Sequence, residues 1–338
     1  MNKVYIVLVN YNTYQDTIEC IESLLKSDFL DFQIFIIDNS LNDNSIQQLV
    51  SWASSNNYNG IETDFKRLVF PLAIKPLNFT VISKLEFDNT TYKFEDKILI
   101  IRAVNNGFAA ANNIALNYIL KHGENPALVW LLNNDTVVEK FTLSKLVDFY
   151  NNNLHKKYIL GSKLRYYYKP NIIQAIVGNY NIWLGKHVHI GNGEDDHGQY
   201  DNYRVEKNDY IVGASLFFPG FFIEQAGLMC EDYFLYFEEL DWLQSGIKNG
   251  FSIAIVPDAL VYHKEGSSIV GDKNNDTSTA EYYSITNRVR FIKKWYPYSL
   301  PTVVLGVFWA LLKRILNGRF SLVKKISATV FHILLISK

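Results

Sequence analysis

One apolar segment and the polar residues that end it constrain the fold of this 338-residue chain most strongly. Residues 127–132 form a continuous apolar run, which predicts a strand buried on both faces of a parallel sheet. The run stops at Asn133, Asn134 and Asp135, and ligands of open α/β sheets collect at such strand ends. A carboxylate flanked by amides suits a hard divalent cation that also holds phosphate oxygens, whereas alone these residues would fit a turn before a helix.

The N-terminal residues have the pattern of a strand–helix–strand unit. Residues 4–9 and 33–37 predict strands, and an apolar stripe over residues 18–25 predicts the helix between them. The strands end at Asn10 and Asp38, so polar side chains follow two successive strands. The sequence contains neither Gly-x-Gly-x-x-Gly after the first strand nor Gly-Lys-Ser/Thr, which argues against a dinucleotide-dependent dehydrogenase and a P-loop NTPase.

A third predicted strand, residues 98–101, leads into a turn rich in asparagine and small residues. Gly107 and the alanines at 109–111 would let a ligand approach the backbone. The following helix, which we expect to end at Gly123, offers free N–H groups to a diphosphate at its start. Taken alone, the segment is better explained as a glycine-containing turn with asparagine caps.

A cluster of carboxylates, Glu238, Glu239 and Asp241, follows the aromatic residues 233–237. Such a cluster can supply a general base, but acidic residues in a first helical turn also complement the helix dipole without any catalysis. The helix that they begin should end near residues 249–250. The residues expected on its core-facing side are Leu240, Leu243 and Ile247.

Two loops contain the other candidates for ligand binding. His263 follows a predicted strand and a turn at Pro257, and a single histidine there is more often a hydrogen-bonded structural residue. Residues 266–268 and the polar tract 271–279 predict a mobile loop, which favours a functional role for His263. The acidic loop at residues 194–197 is flanked by glycines, so we expect a solvated turn without a metal-ligand role.

Composition limits the cellular setting. The 338 residues suffice for one large domain, or for two halves around one sheet. Cys20 and Cys230 lie far apart, imply neither a disulfide framework nor a zinc site, and favour a reducing compartment. The first residues lead directly into a strand without a secretory pattern.

The C-terminal residues combine apolar and basic character. From Arg290 onward there are nine Lys or Arg residues and no Asp or Glu, although the whole chain has a formal charge of −1. The apolar runs between the basic residues are shorter than the roughly 20 residues that cross a bilayer. Aromatic residues mixed with Lys and Arg favour helices that lie in a membrane interface. The alternative is a helical pair packed on the preceding domain.

Several short motifs occur in an order that resembles family 2 glycosyltransferases, closest to the rhamnosyltransferase-like subgroup. The motifs are Val-Asn-Tyr-Asn at 9–12, Ile-Asp-Asn-Ser at 37–40, Asn-Gly-Phe-Ala at 106–109, Leu-Asn-Asn-Asp-Thr at 132–136, Gly-Gln-Tyr-Asp at 198–201, Gly-Ala-Ser-Leu-Phe-Phe at 213–218, Tyr-Phe-Glu-Glu-Leu-Asp at 236–241, Val-Tyr-His-Lys-Glu-Gly-Ser-Ser at 261–268 and Tyr-Tyr-Ser-Ile-Thr-Asn-Arg at 282–288. Each motif is weak alone, but the ordered set is specific and covers about residues 3–295.

The resemblance implies an α/β fold of the GT-A type. We expect a Rossmann-like nucleotide-sugar-binding domain with a mixed, mainly parallel central sheet, followed by C-terminal amphipathic helices. The catalytic domain would span residues 1–295, with a nucleotide-binding half at 1–135 and an acceptor half at 136–295. Residues 296–338 would form the basic amphipathic tail.

The resemblance also implies a metal–nucleotide site. Mg²⁺ or Mn²⁺ would be held by Asp135, Asn133 and His263 and would offset charge on a diphosphate leaving group. Asp38 would accept a hydrogen bond from the imide N–H of a pyrimidine base. The residues expected around the donor nucleotide are Asn10, Tyr11, Asn12, Asp38, Asn106, Gly107, Asn113 and Asn134.

The implied activity is an inverting, metal-dependent sugar transfer. The donor would be a nucleotide sugar, with dTDP-rhamnose favoured, and the acceptor a cell-surface glycan or a lipid-linked oligosaccharide. Glu239, the second acid of the family's acidic pair, would be the general base, with Asp241 as the alternative and Glu238 beside them. A single base opposite the leaving group implies one in-line displacement, and hence inversion at the anomeric carbon.

Departures from the family pattern leave alternatives open. The metal motif is Asn133-x-Asp135 instead of Asp-x-Asp, so fewer anionic ligands are available. Residues 54–97 replace a short connection and could decorate the sheet edge or form an acceptor or dimer surface. A sugar-1-phosphate nucleotidyltransferase would need a Gly-rich phosphate loop, which residues 10–13 do not provide. An inactive glycan-binding scaffold of the same fold is the non-enzymatic alternative.

The expected partners follow from the same resemblance and from the basic tail. They are a nucleotide-sugar donor, a glycan or lipid-linked acceptor, and a membrane surface contacted through the tail. We expect no nucleic-acid partner, and the sequence leaves a homo-oligomer open. The expected location is the cytoplasm, peripherally on the inner face of the cell membrane.

Overall fold

A computed structural model describes residues 3–123, 127–265 and 277–335. The strands of its parallel half coincide with apolar runs in the sequence. In chain order the strands are β1 Val4–Asn10, β2 Phe32–Asp38, β3 Phe79–Ser83, β4 Ile98–Arg102, β5 Leu128–Leu132, β6 Thr136–Val138, β7 Tyr158–Tyr166, β8 Lys169–Ala175, β9 Gly178–Asn181, β10 Lys186–His189, β11 Asp209–Tyr210, β12 Ser215–Pro219 and β13 Ser252–His263.

The helices alternate with the strands in the first half of the chain and collect at its C-terminal end. They are α1 Tyr14–Leu24, α2 Asn44–Ser54, α3 Lys66–Val69, α4 Lys84–Asp88, α5 Phe108–His122, α6 Thr142–Asn151, α7 Phe221–Ala226, α8 Glu238–Lys248, α9 Thr277–Trp295, α10 Leu300–Leu316 and α11 Phe320–Leu335. Short 3₁₀ turns at Glu231–Tyr233 and Pro297–Ser299 precede α8 and α10.

Ten of these strands form one mixed sheet in the order β3-β4-β2-β1-β5-β12-β7-β13-β6, with β8 paired to β7. Strands β3, β4, β2, β1 and β5 run parallel, β12 is antiparallel to both neighbours, and β13 is parallel to β7. Strands β10, β9 and β11 form a second, small antiparallel sheet. The mixed, mainly parallel central sheet confirms the predicted fold class.

Helices cover both faces of the central sheet. Because side chains alternate along a strand, Tyr5 and Val7 of β1 join one core with residues of α5, α7 and α8. Ile6 and Leu8 belong to the other core, with residues of α1, α2 and α6. Burial on both faces explains why the strands appear in the sequence as continuous apolar runs.

The long insertion at residues 54–97 extends the sheet. Its strand β3 pairs in parallel with β4 and becomes the edge strand, so the segment decorates the sheet edge. A buried ion pair ties the insertion to α1, because Lys75 Nζ lies 2.6 Å from Glu22 Oε1. Trp52 Nε1 donates to the same oxygen at 2.8 Å, and Lys75 Nζ lies 4.5 Å from the centre of that indole ring.

Two local predictions are wrong, and a third holds only in part. The expected turn at Pro257 is an irregularity within the continuous strand β13, where the pairing register with β7 shifts between Val256 and Leu260. Ile247 does not face the core, since its side chain is 41% exposed. The acidic loop is exposed at Glu194, Asp195 and His197, as predicted, but Asp196 is paired with Lys163 at 3.1 Å and Arg165 at 2.6 Å.

The C-terminal helices pack on α9. One side of α10 and α11 forms a small core with it. The core residues are Ile285, Val289, Val307, Leu322, Ile326, Val330 and Ile333. Glu281 of α9 binds both Arg314 at 3.0 Å and Arg319 at 2.8 Å, which fastens the turn between α10 and α11.

Candidate functional site

The carboxyl ends of β1, β2 and β5 meet in a buried hydrogen-bond network. The Asn10 side chain donates to Asp38 Oδ2 and to Ser45 Oγ, both at 2.6 Å. Its carbonyl accepts from Thr17 Oγ1 at 2.7 Å. Asn134 Nδ2 donates to Thr17 Oγ1 at 2.9 Å. The network therefore joins three strand ends to α1 and α2, and it holds the predicted nucleotide-binding edge in one shape.

Asp38 is engaged by its own chain. Oδ2 accepts from Asn10 and from Ser45 Oγ at 2.6 Å, and Oδ1 accepts from the backbone N–H of Ser40 at 2.9 Å. The residue is 2% exposed. The last of these bonds is the Asx turn expected for an aspartate at a strand end. Its predicted contact with a nucleobase stays a prediction, since any such contact must use the remaining lone pair of Oδ1.

Tyr11 and Asn12 line the loop above this network. Asn12 has a left-handed backbone, with φ of 59°, and its N–H donates to Ser40 Oγ at 2.9 Å. The loops after β1 and β2 are thus linked to each other. Both Tyr11 and Asn12 are partly exposed, in contrast to Asn10 and Asp38, so they are the accessible members of the predicted nucleotide set here.

Asp135 and His263 contact each other at the ends of β5 and β13. The carboxylate Oδ1 of Asp135 lies 3.1 Å from Nε2 of His263. The Nδ2 atom of Asn133 lies 3.3 Å from the same ring nitrogen. His263 is therefore brought next to Asn133 and Asp135, although 130 positions separate it from Asn133 in the sequence. They meet because β6, which follows Asp135, pairs antiparallel with the end of β13.

Gln174 orients the histidine ring. Its Oε1 lies 2.8 Å from His263 Nδ1, while its Nε2 donates to Glu265 Oε2 at 3.2 Å. Because the amide nitrogen faces a carboxylate, the amide oxygen faces His263 and accepts from Nδ1–H. Nε2 is thereby directed at Asp135, as in metal sites where the ligand's other ring nitrogen has a fixed partner. Gln174 is 2% exposed and had no signal in the sequence.

Burial and charge act in opposite directions on this pair. Burial alone would raise the pKa of Asp135, but the charge and hydrogen bond of His263 outweigh it and lower the pKa below its usual range. Burial would lower the pKa of His263, and the charge of Asp135 instead raises it. Each group thus stabilises the charged form of the other, and Asp135 is a carboxylate at neutral pH.

The donor set fits a divalent cation that a substrate completes. A carboxylate, an imidazole nitrogen and an amide oxygen are ligands that Mg²⁺ or Mn²⁺ accept, and the cation would displace the proton that Asp135 favours on the His263 ring. Within residues 3–123, 127–265 and 277–335, no three His, Cys, Asp or Glu side chains lie close enough to hold a metal by themselves. Diphosphate oxygens and water would therefore supply the remaining ligands, as is usual for Mg²⁺.

The turn after β4 lies against the aromatic residues that precede α8. Gly107 has φ of +100°, and a methyl group on it would lie 2.6 Å from the carbonyl oxygen of Phe234. The N–H of Phe108 donates to that oxygen at 3.0 Å, so the first N–H of α5 is not free for a diphosphate. Asn106 is exposed, whereas Asn113 is buried and donates to the carbonyl of Met229 at 2.9 Å.

The acidic cluster at the start of α8 contains three different environments. Glu238 is buried, and its Oε2 has no hydrogen-bond partner among the described residues. Burial and the charge of Glu239 raise the pKa of Glu238 to about 8. Glu239 is partly exposed, and burial raises its pKa as well. The pKa values of both glutamates are therefore raised, and Glu239 is the more accessible of the two.

Asp241, the alternative base, is enclosed by donors. Its Oδ1 accepts from Tyr233 OH at 2.9 Å and from Trp295 Nε1 at 2.7 Å. Its Oδ2 lies 2.7 Å from Lys294 Nζ, and the residue is 1% exposed. These contacts join α8 to the end of α9, so the geometry favours Glu239 over Asp241 for contact with a substrate.

A short segment connects the acid to the metal-ligand side. The N–H of Asn133 donates to the carbonyl of Ala214 at 3.0 Å. Gly213, which precedes Ala214, packs against Glu239, since a methyl group on Gly213 would be 3.2 Å from Glu239 Cγ. Burial raises the pKa of Tyr210 in the small sheet, and the nearby Glu239 raises it further. The predicted base and the predicted metal ligands therefore border the same segment.

Only part of the predicted mobile loop lies within the described residues. Residues 266–276 lie outside the described residues, whereas residues 277–279 form the first turn of α9.

Residues 5–66 match the family model described as glycosyl transferase family 2. The matched segment contains β1, α1, β2 and α2, and so includes Asn10 and Asp38. The metal-ligand and acidic residues lie outside it. No curated protein matches the chain.

Several solved structures are similar in fold. The mannosyltransferase PcManGT of Pyrobaculum calidifontis, in complex with GDP-Man and Mn²⁺, is 11% identical with a TM-score of 0.50, over 99% of this chain and 88% of that one. GalNAc-T7, with UDP, GalNAc and Mn²⁺, is 12% identical with a TM-score of 0.57, over 88% of this chain and 49% of that one. For TarS of S. aureus the identity is 13% and the TM-score 0.46, over 85% of this chain and 39% of TarS, a likeness too loose to argue from. The chain has the GT-A glycosyltransferase fold.

Proposed function

We propose that this protein is a metal-dependent, inverting glycosyltransferase that uses a nucleotide-sugar donor and a glycan or lipid-linked acceptor. The observation that carries the proposal is the contact of Asp135 with His263 at the carboxyl ends of β5 and β13, with Gln174 fixing the histidine ring. The family match at residues 5–66 and the GT-A fold support it. A glycine-rich phosphate loop, which a nucleotidyltransferase would need, is not found after β1.

The two sides of the site have separate roles. A cation bound by Asp135, His263 and Asn133 would stabilise negative charge on the leaving diphosphate. Glu239 accepts the proton of the acceptor hydroxyl as that oxygen attacks the anomeric carbon. Burial and the charge of Glu239 raise the pKa of Glu238 beside it, so the site disfavours charge on both acids at once. A base and a leaving group on opposite sides of the sugar produce inversion in one displacement.

The donor is proposed to be dTDP-rhamnose, on the resemblance of the motifs to the rhamnosyltransferase-like subgroup. Similar motifs serve other donors, and the solved structures of similar fold were obtained with GDP-Man and with UDP and GalNAc. We propose that Asp38 distinguishes pyrimidine from purine nucleotides through its Oδ1 atom. Tyr11, Asn12 and Asn106 are the accessible residues proposed to contact the nucleotide.

A transfer and hydrolysis assay with dTDP-, UDP- and GDP-sugars, with and without Mn²⁺, tests the proposal. We expect one donor class to release nucleoside diphosphate in a Mn²⁺-dependent reaction. Asp135→Ala should abolish this release, whereas Asp148→Ala, an exposed aspartate on α6, should not change it. Release of a nucleoside triphosphate from sugar nucleotide and pyrophosphate would indicate a nucleotidyltransferase instead. A wild-type protein that binds a glycan but consumes no donor would be a scaffold.

We also propose that the C-terminal helices bind an anionic membrane surface. Pro297–Leu316 is the one segment within the described residues that is apolar and long enough to cross a bilayer, and only 17% of it is buried. The side of α10 opposite its packed face is exposed and apolar. The exposed residues are Leu305, Phe308, Trp309, Ile315 and Leu316 on α10, followed by Phe320, Phe331 and Leu335 on α11. A helix that is apolar all round is normally buried, so we expect this face to be buried against another surface.

The basic charge of the C-terminal helices favours an anionic membrane as that surface. Arg314 and Arg319 are paired with Glu281, but Lys313 and Lys324 are exposed beside the apolar face. From Arg290 onward the chain has no acidic residue. Crossing the bilayer would break the packing of α10 on α9 and the Glu281 ion pairs, so we propose that the helices lie in the interface. Each exposed lysine contributes about 1 kcal/mol near an anionic surface.

Sedimentation with vesicles of phosphatidylcholine, with or without phosphatidylglycerol, tests this second proposal. The full chain should bind only the anionic vesicles, and more weakly as salt rises, because the screening length is about 10 Å at 0.1 M. Phe308→Ser with Trp309→Ser should abolish binding, and Lys313→Gln with Lys324→Gln should weaken it. The exposed controls are Leu154→Ser and Lys145→Gln with Lys66→Gln. Unchanged vesicle binding by the Phe308 and Trp309 variant would defeat the proposal. So would a wild-type dimer that becomes a monomer in this variant, because the apolar face would then be a dimer interface.

A further inference from the structure

The five residues before α8 have an unusual backbone. Phe234, Tyr236 and Phe237 have φ values of 59°, 66° and 77°, and none of them is a glycine. Such left-handed conformations of non-glycine residues cost of order 1–3 kcal/mol each, so they persist only where surrounding contacts hold them. We call residues 233–237 the aromatic loop. Phe237 is the last residue before Glu238, so the conformation of this loop sets where α8 begins.

Asn287 supplies the contacts that hold the loop. Its Nδ2 atom lies 2.7 Å from the carbonyl oxygen of Tyr233, 2.9 Å from that of Leu235 and 3.2 Å from that of Tyr236. Asn287 is 1% exposed, so water does not compete for these carbonyls. One side chain thus gathers three carbonyl groups that the left-handed residues turn inward.

The turn after β4 contacts the aromatic loop on its other side. The carbonyl of Phe234 accepts from the N–H of Phe108, and its atoms leave no room for a side chain at Gly107. The Phe234 ring stacks on Tyr283 of α9 with the ring centres 5.0 Å apart. The aromatic loop is therefore held between the turn after β4 and helix α9, and Glu238 and Glu239 follow it directly.

We infer that Asn287 is a positioning residue for the catalytic carboxylates: its carboxamide holds the aromatic loop in its left-handed form and thereby places Glu238 and Glu239. This inference rests on the proposed function of Glu239. The hydrogen bonds of the Asn287 carboxamide go to carbonyls of the aromatic loop and not to the predicted metal ligands, so its loss should affect transfer more than donor binding. Displacing a reacting group by about 1 Å can cost about 10²-fold in rate, so the effect should appear in kcat.

The test compares Asn287→Ala and Asn287→Ser with the wild-type chain. Serine retains one donor and alanine none, so kcat should fall in the order Asn, Ser, Ala, by about 10- to 100-fold for alanine. The Kd of the donor should change less than about twofold, which is below 0.5 kcal/mol. The pH–rate profile should shift, because the surroundings of Glu239 change. If alanine prevents folding, the serine variant carries the comparison.

Gln33→Ala is the matched control. Gln33 is also a buried amide that donates to two backbone carbonyls, those of Phe94 at 3.0 Å and Asp96 at 2.7 Å, but it lies at the opposite end of β2. The Gln33→Ala substitution should lower Tm without changing the kcat of the folded protein. Folded Asn287 variants with wild-type kcat and pH profile would overturn the inference.

A second readout does not depend on activity. Amide hydrogen exchange of residues 233–237 should become about tenfold faster in Asn287→Ala, because opening of the loop no longer breaks the carboxamide bonds. Unchanged exchange would overturn the inference even if the wild type transfers sugar. Faster exchange in a protein that transfers no sugar would instead defeat the proposed function and leave the structural role of Asn287 intact.

Discussion

His263 Nε2 lies 3.1 Å from Asp135 Oδ1 because Gln174 turns the other ring nitrogen away from the carboxylate. Asp135, between β5 and β6, therefore forms one contact network with residues of β8 and β13, although 128 positions separate it from His263 in the sequence. The relationship makes the orientation of the ring, and not only its presence, a property that can be changed experimentally.

Gln174→Ala should weaken metal binding while leaving all three predicted ligands in place. Loss of a group that orients a metal-binding histidine typically costs about 10- to 100-fold in metal affinity. Titration of the protein with Mn²⁺ in the presence of nucleoside diphosphate measures the change. Gln47→Ala, at an exposed position of α2, is the control and should bind Mn²⁺ as the wild type does. Wild-type Mn²⁺ affinity in Gln174→Ala would contradict the assignment.

Glu239→Gln should bind donor and metal normally and lose transfer. Glutamine keeps the size of the side chain but accepts no proton, so we expect a fall in kcat of about 10²- to 10⁴-fold. Asp241→Asn should instead lower Tm, because it weakens contacts with Tyr233, Trp295 and Lys294. Single-turnover transfer and donor titration separate the two effects. If Asp241→Asn alone stops transfer in a folded protein, the base is Asp241.

Stability should decrease as the pH rises from about 4.5 to about 8, in part because of Glu238. Its pKa is raised from 4.5 to about 8 in the folded protein, so in this range the unfolded chain loses a proton that the folded chain keeps. Unfolding therefore becomes more favourable with rising pH. Urea denaturation at pH 5 and pH 8 should show a smaller difference for Glu238→Gln than for the wild type. An equal difference would contradict a raised pKa.

Asp38→Ala should reduce both stability and selectivity for the nucleotide. Asn10 and Ser45 lose their shared acceptor, and unsatisfied buried donors cost about 1–3 kcal/mol. If Asp38 also reads the base, the variant should no longer distinguish pyrimidine from purine nucleotides in a binding titration. A folded variant with unchanged nucleotide affinity would show that Asp38 only supports the loops.

The parallel half of the fold was predictable because its strands are buried on both faces. β1, β2, β4 and β5 each appear in the sequence as an apolar run followed by a polar residue. The small sheet was not predicted, since its short strands contain few apolar residues and depend on contacts from elsewhere in the chain. The irregularity in β13 was predicted as a turn, because a proline such as Pro257 is common both in turns and at irregularities within strands.

Site residues were predictable where a strand ends and much less so where a role depends on distant partners. Asp135 and Asn133 are marked by the run that precedes them. Gln174 has no local pattern, and its role exists only because β8 pairs with β7 next to β13. Asn287 lies within a recognised motif, but nothing in the sequence shows that it contacts the carbonyls of residues 233–237.

Glu281 and Asn287 belong to the same helix, six positions apart, or about 9 Å along its axis. Glu281 anchors the C-terminal helices through two arginines, and Asn287 binds the carbonyls of the loop before Glu238 and Glu239. With the proposed membrane contact, helix α9 would hold Glu239 at a fixed distance from the membrane surface. A lipid-linked acceptor would then react only if its sugar chain spans that distance, which would make the acceptor's length, and not its sequence of sugars alone, a condition for transfer.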